Sequence, residues 1–285
     1  MLGNLRSAVL NSLRQPIATG LHTSIELHVQ YTEVKECNGV REITLNQPKT
    51  RNALSMGMME SIKEALTKDI DKDDLRCIVL SSSGPVWSSG HNLKELTKET
   101  GSEFHFKVFQ KCTEVIMSIY KAPVPVVAKV NGLAAAAGCQ FVASCDIVVC
   151  SDKSSFSTPG ANYGIFCSTP GIAITRTMPR RKSAYMLMTG IPITAQDAYI
   201  AGLVSVIVPE AQLDAEVENI TNSIKRNSRA VLKLGKEFYY KQLEMNIGDA
   251  YAHGSEVMRD NLLLTDGIEG IKSFIEKRKP NWTHK

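Results

Sequence analysis

Residues 128–151, AKVNGLAAAAGCQFVASCDIVVCS, put an apolar run, a turn and a stretch of very small residues in immediate succession. Pro125 to Val130 is rich in β-branched residues, and Asn131-Gly132 signals a turn after it. Four alanines and Gly138 follow, small enough for a ligand or another backbone to come close. Gln140 to Ser144 has helical character, and Asp146 leads into the apolar run from Ile147 to Cys150. The order predicts strand, tight turn, short helix, strand. A helix start without bulky side chains offers free N–H groups and the positive end of a dipole. It can therefore hold an oxyanion or a carbonyl oxygen. The same composition also fits close helix packing with no chemistry attached.

The flanking segments build layers around this stretch. YTEVKECNGVREITLNQP reads as two strands about an Asn38-Gly39 hairpin turn. Apolar residues then recur at helical spacing from Met58 through Ile62, Ala65, Leu66 and Ile70, before the apolar strand LRCIVLSSS. Phe104, Val108, Phe109, Val115, Ile116 and Ile119 share one face of a further helix, which Pro123 and Pro125 end. Residues 180–209 carry two short helices and a last strand. From Glu210 the pattern is helical, with Leu213, Val217, Ile220 and Ile224 on one face and Val231, Leu234, Phe238 and Tyr239 on another. Alternating strands and helices argue for an α/β fold.

The length of 285 residues suits one large domain, or one domain with an appendage, and no run is long enough to span a bilayer. Residues 1–25 contain Arg6 and Arg14, several Ser and Thr, and no acid, with Leu2, Leu5, Val9, Leu10 and Leu13 at roughly helical spacing. That is the composition of a mitochondrial transit peptide, and a frayed terminus is the plainer alternative. The net charge of +4 falls to +2 without Arg6 and Arg14, too little to argue for nucleic-acid binding. The seven cysteines include no CxxC pair and sit mostly in apolar segments. They read as buried free thiols in a reducing compartment, not as disulfides or a metal site.

Asn131-Gly132-x-Ala134-x-x-x-Gly138-Cys139, with Cys145-Asp146 beyond, resembles the central signature of the crotonase (enoyl-CoA hydratase/isomerase) superfamily. The resemblance runs from about Tyr31 to the C-terminus. It takes in Arg51-Asn52-Ala53-Leu54, Gly90-His91-Asn92-Leu93-Lys94-Glu95, Thr194-Ala195-Gln196-Asp197-Ala198, Gly202-Leu203-Val204 and the terminus DGIEGIKSFIEKRKPNW. It implies a ClpP/crotonase-like fold: a ββα spiral core over residues 26–210, then a C-terminal helical region, 211–285, that packs subunits into a trimer or hexamer.

It also implies a ligand, an acyl-CoA or enoyl-CoA thioester, with no separate cofactor and no metal. Arg51 matches the residue near the CoA phosphates, although a solvated arginine is the bland reading. Ala53, Leu54, His91, Leu93 and Lys94 follow as CoA contacts. Phe274 and Lys277 match positions near the nucleotide, where a hydrophobic anchor and a solvated charge fit as well. The backbone N–H groups of His91 and Ala137 match the oxyanion hole. The His91 ring itself is either an acid/base group or a loop support.

The family's two catalytic glutamates match Gln140 and Gly160 here. A carboxamide cannot transfer a proton near neutrality, and glycine has no side chain. Cys139, Ser157, Thr158, Asn162, Tyr163 and Cys167 are nearby in sequence without a visible activating partner. The expectation is a protein of the mitochondrial matrix and of fatty-acid metabolism that binds acyl-CoA but lacks ordinary hydration. The alternatives are an enzyme using other groups and a non-catalytic interaction protein.

Overall fold

The computed structural model describes residues 30–285; the expected leader, residues 1–25, lies outside them. The chain opens with a hairpin of β1 (Thr32–Cys37) and β2 (Val40–Leu45). Its two turn residues, Asn38 and Gly39, have φ of 49° and 78°, the left-handed pair that a two-residue hairpin needs. Helix α1 (Met56–Thr67) follows, capped by the Ser55 side chain, which accepts the Met58 N–H.

Three ββα turns come next. The first is β3 (Cys77–Ser82), β4 (Val86–Ser88) and α2 (Ser102–Lys121); the second is β5 (Val126–Val130), β6 (Leu133–Ala135) and α3 (Ala137–Ala143). The third is β7 (Ile147–Ser151), β8 (Ser155–Ser157) and α4 (Ser168–Thr177). Helix α5 (Arg180–Thr189), β9 (Ile193–Thr194), α6 (Ala195–Ile200) and β10 (Val206–Val208) complete the core. Four helices finish the chain: α7 (Leu213–Lys225), α8 (Arg229–Gln242), α9 (Ile247–Asn261) and α10 (Thr265–Ile275).

In each turn the first strand joins a large sheet and the second a small one. The large sheet has the order β1-β2-β3-β5-β7-β10 and the small one β4-β6-β8-β9. All neighbours pair in parallel except β1 with β2 and β8 with β9. This is the expected ββα spiral. One detail differs: Leu133–Ala135, read as part of a turn and helix approach, is a short strand of the small sheet. Its pairing with β4 and β8 takes up the backbone groups that the turn would have left free.

The large sheet is buried on both faces, as parallel sheets usually are. Ile78, Leu80, Val126, Ala128, Val148 and Cys150 enter the main core, against α1, α2 and α3. The alternate residues Cys77, Val79, Val127 and Val149 meet Leu213, Val217 and Ile224 of α7 on the other side. The expected core face of α8 is only half right, because Tyr239 is exposed. Its helix is held instead by polar groups. Lys236 Nζ donates to Asp146 Oδ2 at 2.7 Å and to the carbonyls of Ile119 and Val124, and the Tyr240 hydroxyl donates to Asp146 Oδ1 at 2.6 Å. Asp146 also accepts the Val126 N–H, so one carboxylate ties α8 to the end of α3 and the start of β5. Burial, and then the Asp146 charge, push the Tyr240 hydroxyl pKa up and keep it a donor.

Six cysteines are buried, Cys37 is exposed, and all seven are free. Among the described residues no helix is long and apolar enough to cross a membrane.

Candidate functional site

The loop after β4 is the frame of the site. Asn52 is fully buried and binds three segments at once. Its Nδ2 donates to the Ser83 and Val86 carbonyls and its Oδ1 accepts the Gln47 N–H, while its own carbonyl accepts the Ser88 hydroxyl. Leu54 then pairs with the loop as a parallel bridge: its N–H donates to the Gly90 carbonyl at 2.8 Å, and its carbonyl accepts the Asn92 N–H at 3.3 Å. A bridge of this kind uses the residues on either side of His91. It leaves the His91 N–H facing away from Leu54.

Two glycines let this loop lie on the start of α3. A Cβ on Gly138 would come within 2.7 Å of Ser88. A Cβ on Gly90, at φ +86°, would come within 2.8 Å of the Ala136 Cβ and 3.1 Å of the Ala137 nitrogen. Ala136 holds φ 48° and ψ −120°, a conformation that favours glycine. That strain turns the chain abruptly from β6 into α3. Among the described residues, no protein acceptor takes the N–H of His91 or of Ala137. Two unpaired N–H groups, carried by adjoining segments, can hold one oxygen that gains negative charge.

The side chains around this pair are poor in proton-transfer groups. Gln140 is 5 % exposed, and its Oε1 accepts the Cys112 thiol at 3.8 Å. Gly160 is more than a missing carboxylate. A Cβ there would lie 2.1 Å from the Ile165 carbonyl oxygen and 2.7 Å from Cys167 Sγ, because the 160–165 turn closes on itself through the Ile165 N–H to Gly160 carbonyl bond. The thiols of Cys112 and Cys139 are pushed up to about 12, chiefly by burial, and that of Cys167 is raised for the same reason. None is a thiolate near neutrality. Tyr163 and Asn162 are exposed, whereas Ser157 and Thr158 are buried. The Thr158 Oγ1 has no partner.

His91 is the one titratable side chain on the loop at this point. Its ring meets Phe109 edge-on at 5.3 Å, and both ring nitrogens are buried without a hydrogen bond. Burial lowers its pKa; the nearby Leu54 carbonyl opposes this weakly but makes no well-formed bond to the ring. The imidazole is therefore neutral at pH 7.

The remaining expected residues divide into two groups. Arg51 (φ 55°), Leu93 and Lys94 are exposed on the outer edge of the same loop pair, with Ala53 half-buried and Leu54 buried. The Arg51 and Lys94 side chains have no ion-pair or hydrogen-bond partner among the described residues, so this edge can meet an anion. The Asn92 Oδ1 caps the next turn by accepting the Lys94 N–H. Glu95 accepts the Met56 N–H, joining the turn to α1. Phe274 (85 % exposed) and Lys277 stand at the end of α10, which packs on α8, and the chain by itself does not bring them to His91. Sequence reasoning missed Asn52, Cys112 and Phe109. The last two are ordinary core positions of an amphipathic helix, and only the packing shows which way they face.

Residues 35–285 match the family described as Enoyl-CoA hydratase/isomerase. The human protein named Enoyl-CoA hydratase domain-containing protein 3, mitochondrial, is 54 % identical over 253 residues, 89 % of this chain and 84 % of that protein. The Pongo abelii protein named Enoyl-CoA hydratase, mitochondrial, is 30 % identical over 281 residues, 98 % of this chain and 95 % of that one. A crystal structure of the human domain-containing protein 3 superposes with a TM-score of 0.88 at 53 % identity, covering 89 % of this chain and all of that one. An enoyl-CoA hydratase structure from Mycobacterium smegmatis gives 0.86 at 39 % identity, covering 88 % and 98 %.

Proposed function

Because this chain belongs to the enoyl-CoA hydratase/isomerase family, we propose that it binds acyl-CoA thioesters but does not hydrate enoyl-CoA by the family's two-glutamate route. The observation that carries this is the contrast within the site. Two backbone N–H groups, on His91 and Ala137, stand unpaired, while Gly160 has no room for a side chain and Gln140 cannot exchange a proton. The thioester oxygen is held by the N–H pair. The CoA phosphates lie along the edge of Arg51 and Lys94, with Ala53, Leu54 and Leu93 beside them. Each acid/base group typically contributes about 10²–10⁴ in rate, so a site with neither keeps binding and polarisation but little turnover.

The protein is mitochondrial, in keeping with the names of its relatives; the matrix and fatty-acid metabolism are the setting assigned to it here. Self-association, as a trimer or a pair of trimers, is supported by the exposed apolar residues of α10, with Ile271 and Ile275 lining a groove of about 430 Å³. In such an assembly Phe274 and Lys277 would come from a neighbouring subunit toward the nucleotide. No metal or further cofactor enters this reading.

The test is to incubate the purified chain with a panel of enoyl- and acyl-CoA thioesters and identify every product by mass. Retained thioester without a hydrated product supports the proposal, and rapid hydration of crotonyl-CoA sinks it. Arg51→Ala should weaken binding by about tenfold at low salt, the size of one charge-assisted contact. Unchanged affinity would remove Arg51 from the phosphate site.

A further inference from the structure

Helix α10 is not held to the chain by apolar packing. Its buried residues are Asp266, Gly267 and Ser273, with no large apolar side chain among them. Ile268, Ile271, Phe274 and Ile275 all stand at least half exposed. Hydrophobic burial against its own core therefore does little to fix this helix. Residues 278–284 fix it instead. They first fold back on α10 as a strap. Arg278 grips Glu269 with two nitrogens, at 2.6 and 2.9 Å, and the Asn281 N–H donates to the same carboxylate at 2.8 Å. The buried Asp266 takes the Thr283 N–H at 2.7 Å, the Thr283 hydroxyl at 2.8 Å and the His284 N–H at 2.8 Å. Helix and strap are thus one unit. Among the described residues, polar links at Trp282, Asp266 and His284 tie that unit to the core. Trp282 Nε1 donates to the Arg226 carbonyl at 2.7 Å, the Ser228 hydroxyl lies beside Asp266, and the His284 ring sits between Arg76 and the start of α8.

The His284 link is the one a proton can break. Its Nε2 lies 2.7 Å from Arg76 Nη1. A guanidinium has no lone pair to offer, so Nε2 must be the accepting end of a neutral ring. Nδ1 faces a further donor, the Arg229 N–H, at 3.4 Å. A second proton on the ring therefore finds no acceptor on either side. The two arginines are fixed in place. Both are buried; Arg76 donates to the Asn227 carbonyl, and Arg229 to the carbonyls of Leu75 and Ile70. The carboxylates within range are Asp266, from α10, and Asp73, from the segment after α1. Both Asp266 oxygens are taken by the strap's own donors, and Asp73 is exposed. Burial, and then the Arg76 charge, lower the ring's pKa, so the closed strap disfavours the added proton. We propose that residues 278–284 form a proton-operated latch, with His284 as its catch, that fastens α10 to the core when the ring is neutral and releases it when the ring is charged. The released ring has an ordinary pKa of about 6.5, so acidification below that value favours release. Release carries Phe274, Lys277 and the Ile271–Ile275 groove away from the core as one piece. Nothing in this device depends on a bound thioester.

The chain has two tryptophans, Trp87 fully buried in the core and Trp282 in the strap, so fluorescence reads the latch. In the full chain, Trp282 emission should shift to the red as the indole leaves Gly270 and the Arg226 carbonyl for water. Acrylamide quenching should rise about twofold between about pH 7.5 and 5.5, the mark of a local opening. Trp282→Phe should remove the change and leave a constant Trp87 emission. His284→Gln keeps an acceptor for Arg76 and does not titrate, so its strap should stay shut at both pH values. His284→Lys carries a fixed charge and should read as open at both. No change in the unaltered protein, or the same change in His284→Gln, overturns the proposal. A shift of Trp87 emission in Trp282→Phe over the same range also overturns it, because the core and not the latch would then be opening. If His284→Lys fails to fold, as thermal melting would show, the unaltered protein and the other two variants decide.

Discussion

The two sides of the site differ in what carries them. On one side the donors are borne by the backbone: the N–H groups of His91 and Ala137 stand unpaired among the described residues, whatever side chains those two positions carry. On the other, proton transfer would have to be borne by side chains, and Gln140 and Gly160 offer no carboxyl for it. A main-chain donor survives any substitution but proline that preserves the fold, whereas a carboxylate is lost with any residue other than Asp or Glu. On the reading proposed above, the scaffold binds and polarises a thioester without transferring a proton. The 160–165 turn leaves no room for a side chain at Gly160, because the Ile165 carbonyl fills the space one would use.

The comparison is best broken at Gly160. Gly160→Glu would drive a Cβ into the Ile165 carbonyl, 2.1 Å away, and should destabilise the protein by about 3 kcal/mol or more in denaturant titration, at the upper end of overpacking effects. Gln140→Glu alone should fold and still fail to hydrate crotonyl-CoA. A stable double variant with hydratase activity would show that the turn is not the barrier described. A smaller effect is expected on the intact side. Gly90→Ala places a methyl against Ala136 and Ala137 at a positive φ and should cost about 1–2 kcal/mol of stability. It should lower thioester affinity more than tenfold, and unchanged affinity would separate this contact from binding.

The smallest effect sharpens the role of His91. Its pKa is lowered by burial, and that of His284 by burial and then by the Arg76 charge. The unfolded chain therefore takes up these protons first, as pH falls through about 6.5. Stability should be full above that value and decline below it, levelling off once the folded histidines protonate in turn. His91→Phe should remove part of the slope between pH 7 and 5 in thermal melts. An unchanged slope would mean the ring is already hydrated in the folded state.

Much of the fold is legible in the residues. The Asn38-Gly39 turn, the buried β-branched runs and the helical spacings each have a local cause, and the structure follows them. The strand Leu133–Ala135 escaped because alanines carry no strand preference; the small sheet recruits them through pairing with β4 and β8. Tyr239 was misplaced because α8 is fixed by Lys236 and Tyr240 on Asp146, and a polar clamp leaves no apolar period to read. In the site, the small residues 134–138 were visible in the composition, and the stretch around His91 through its resemblance to the family. The closure of the turn on Gly160 and the contact of Gln140 with Cys112 were not, since both depend on residues that only packing brings near.

Asp146 also sets an order of events while the chain is being made. Its carboxylate comes to rest among apolar strands and helices, but its cationic and hydroxyl partners are translated 90 and 94 residues later. Until Lys236 and Tyr240 leave the ribosome, closing the ββα core would strand an uncompensated charge. Both partners lie on α8, so the ββα core is expected to close fully only once that helix has been made.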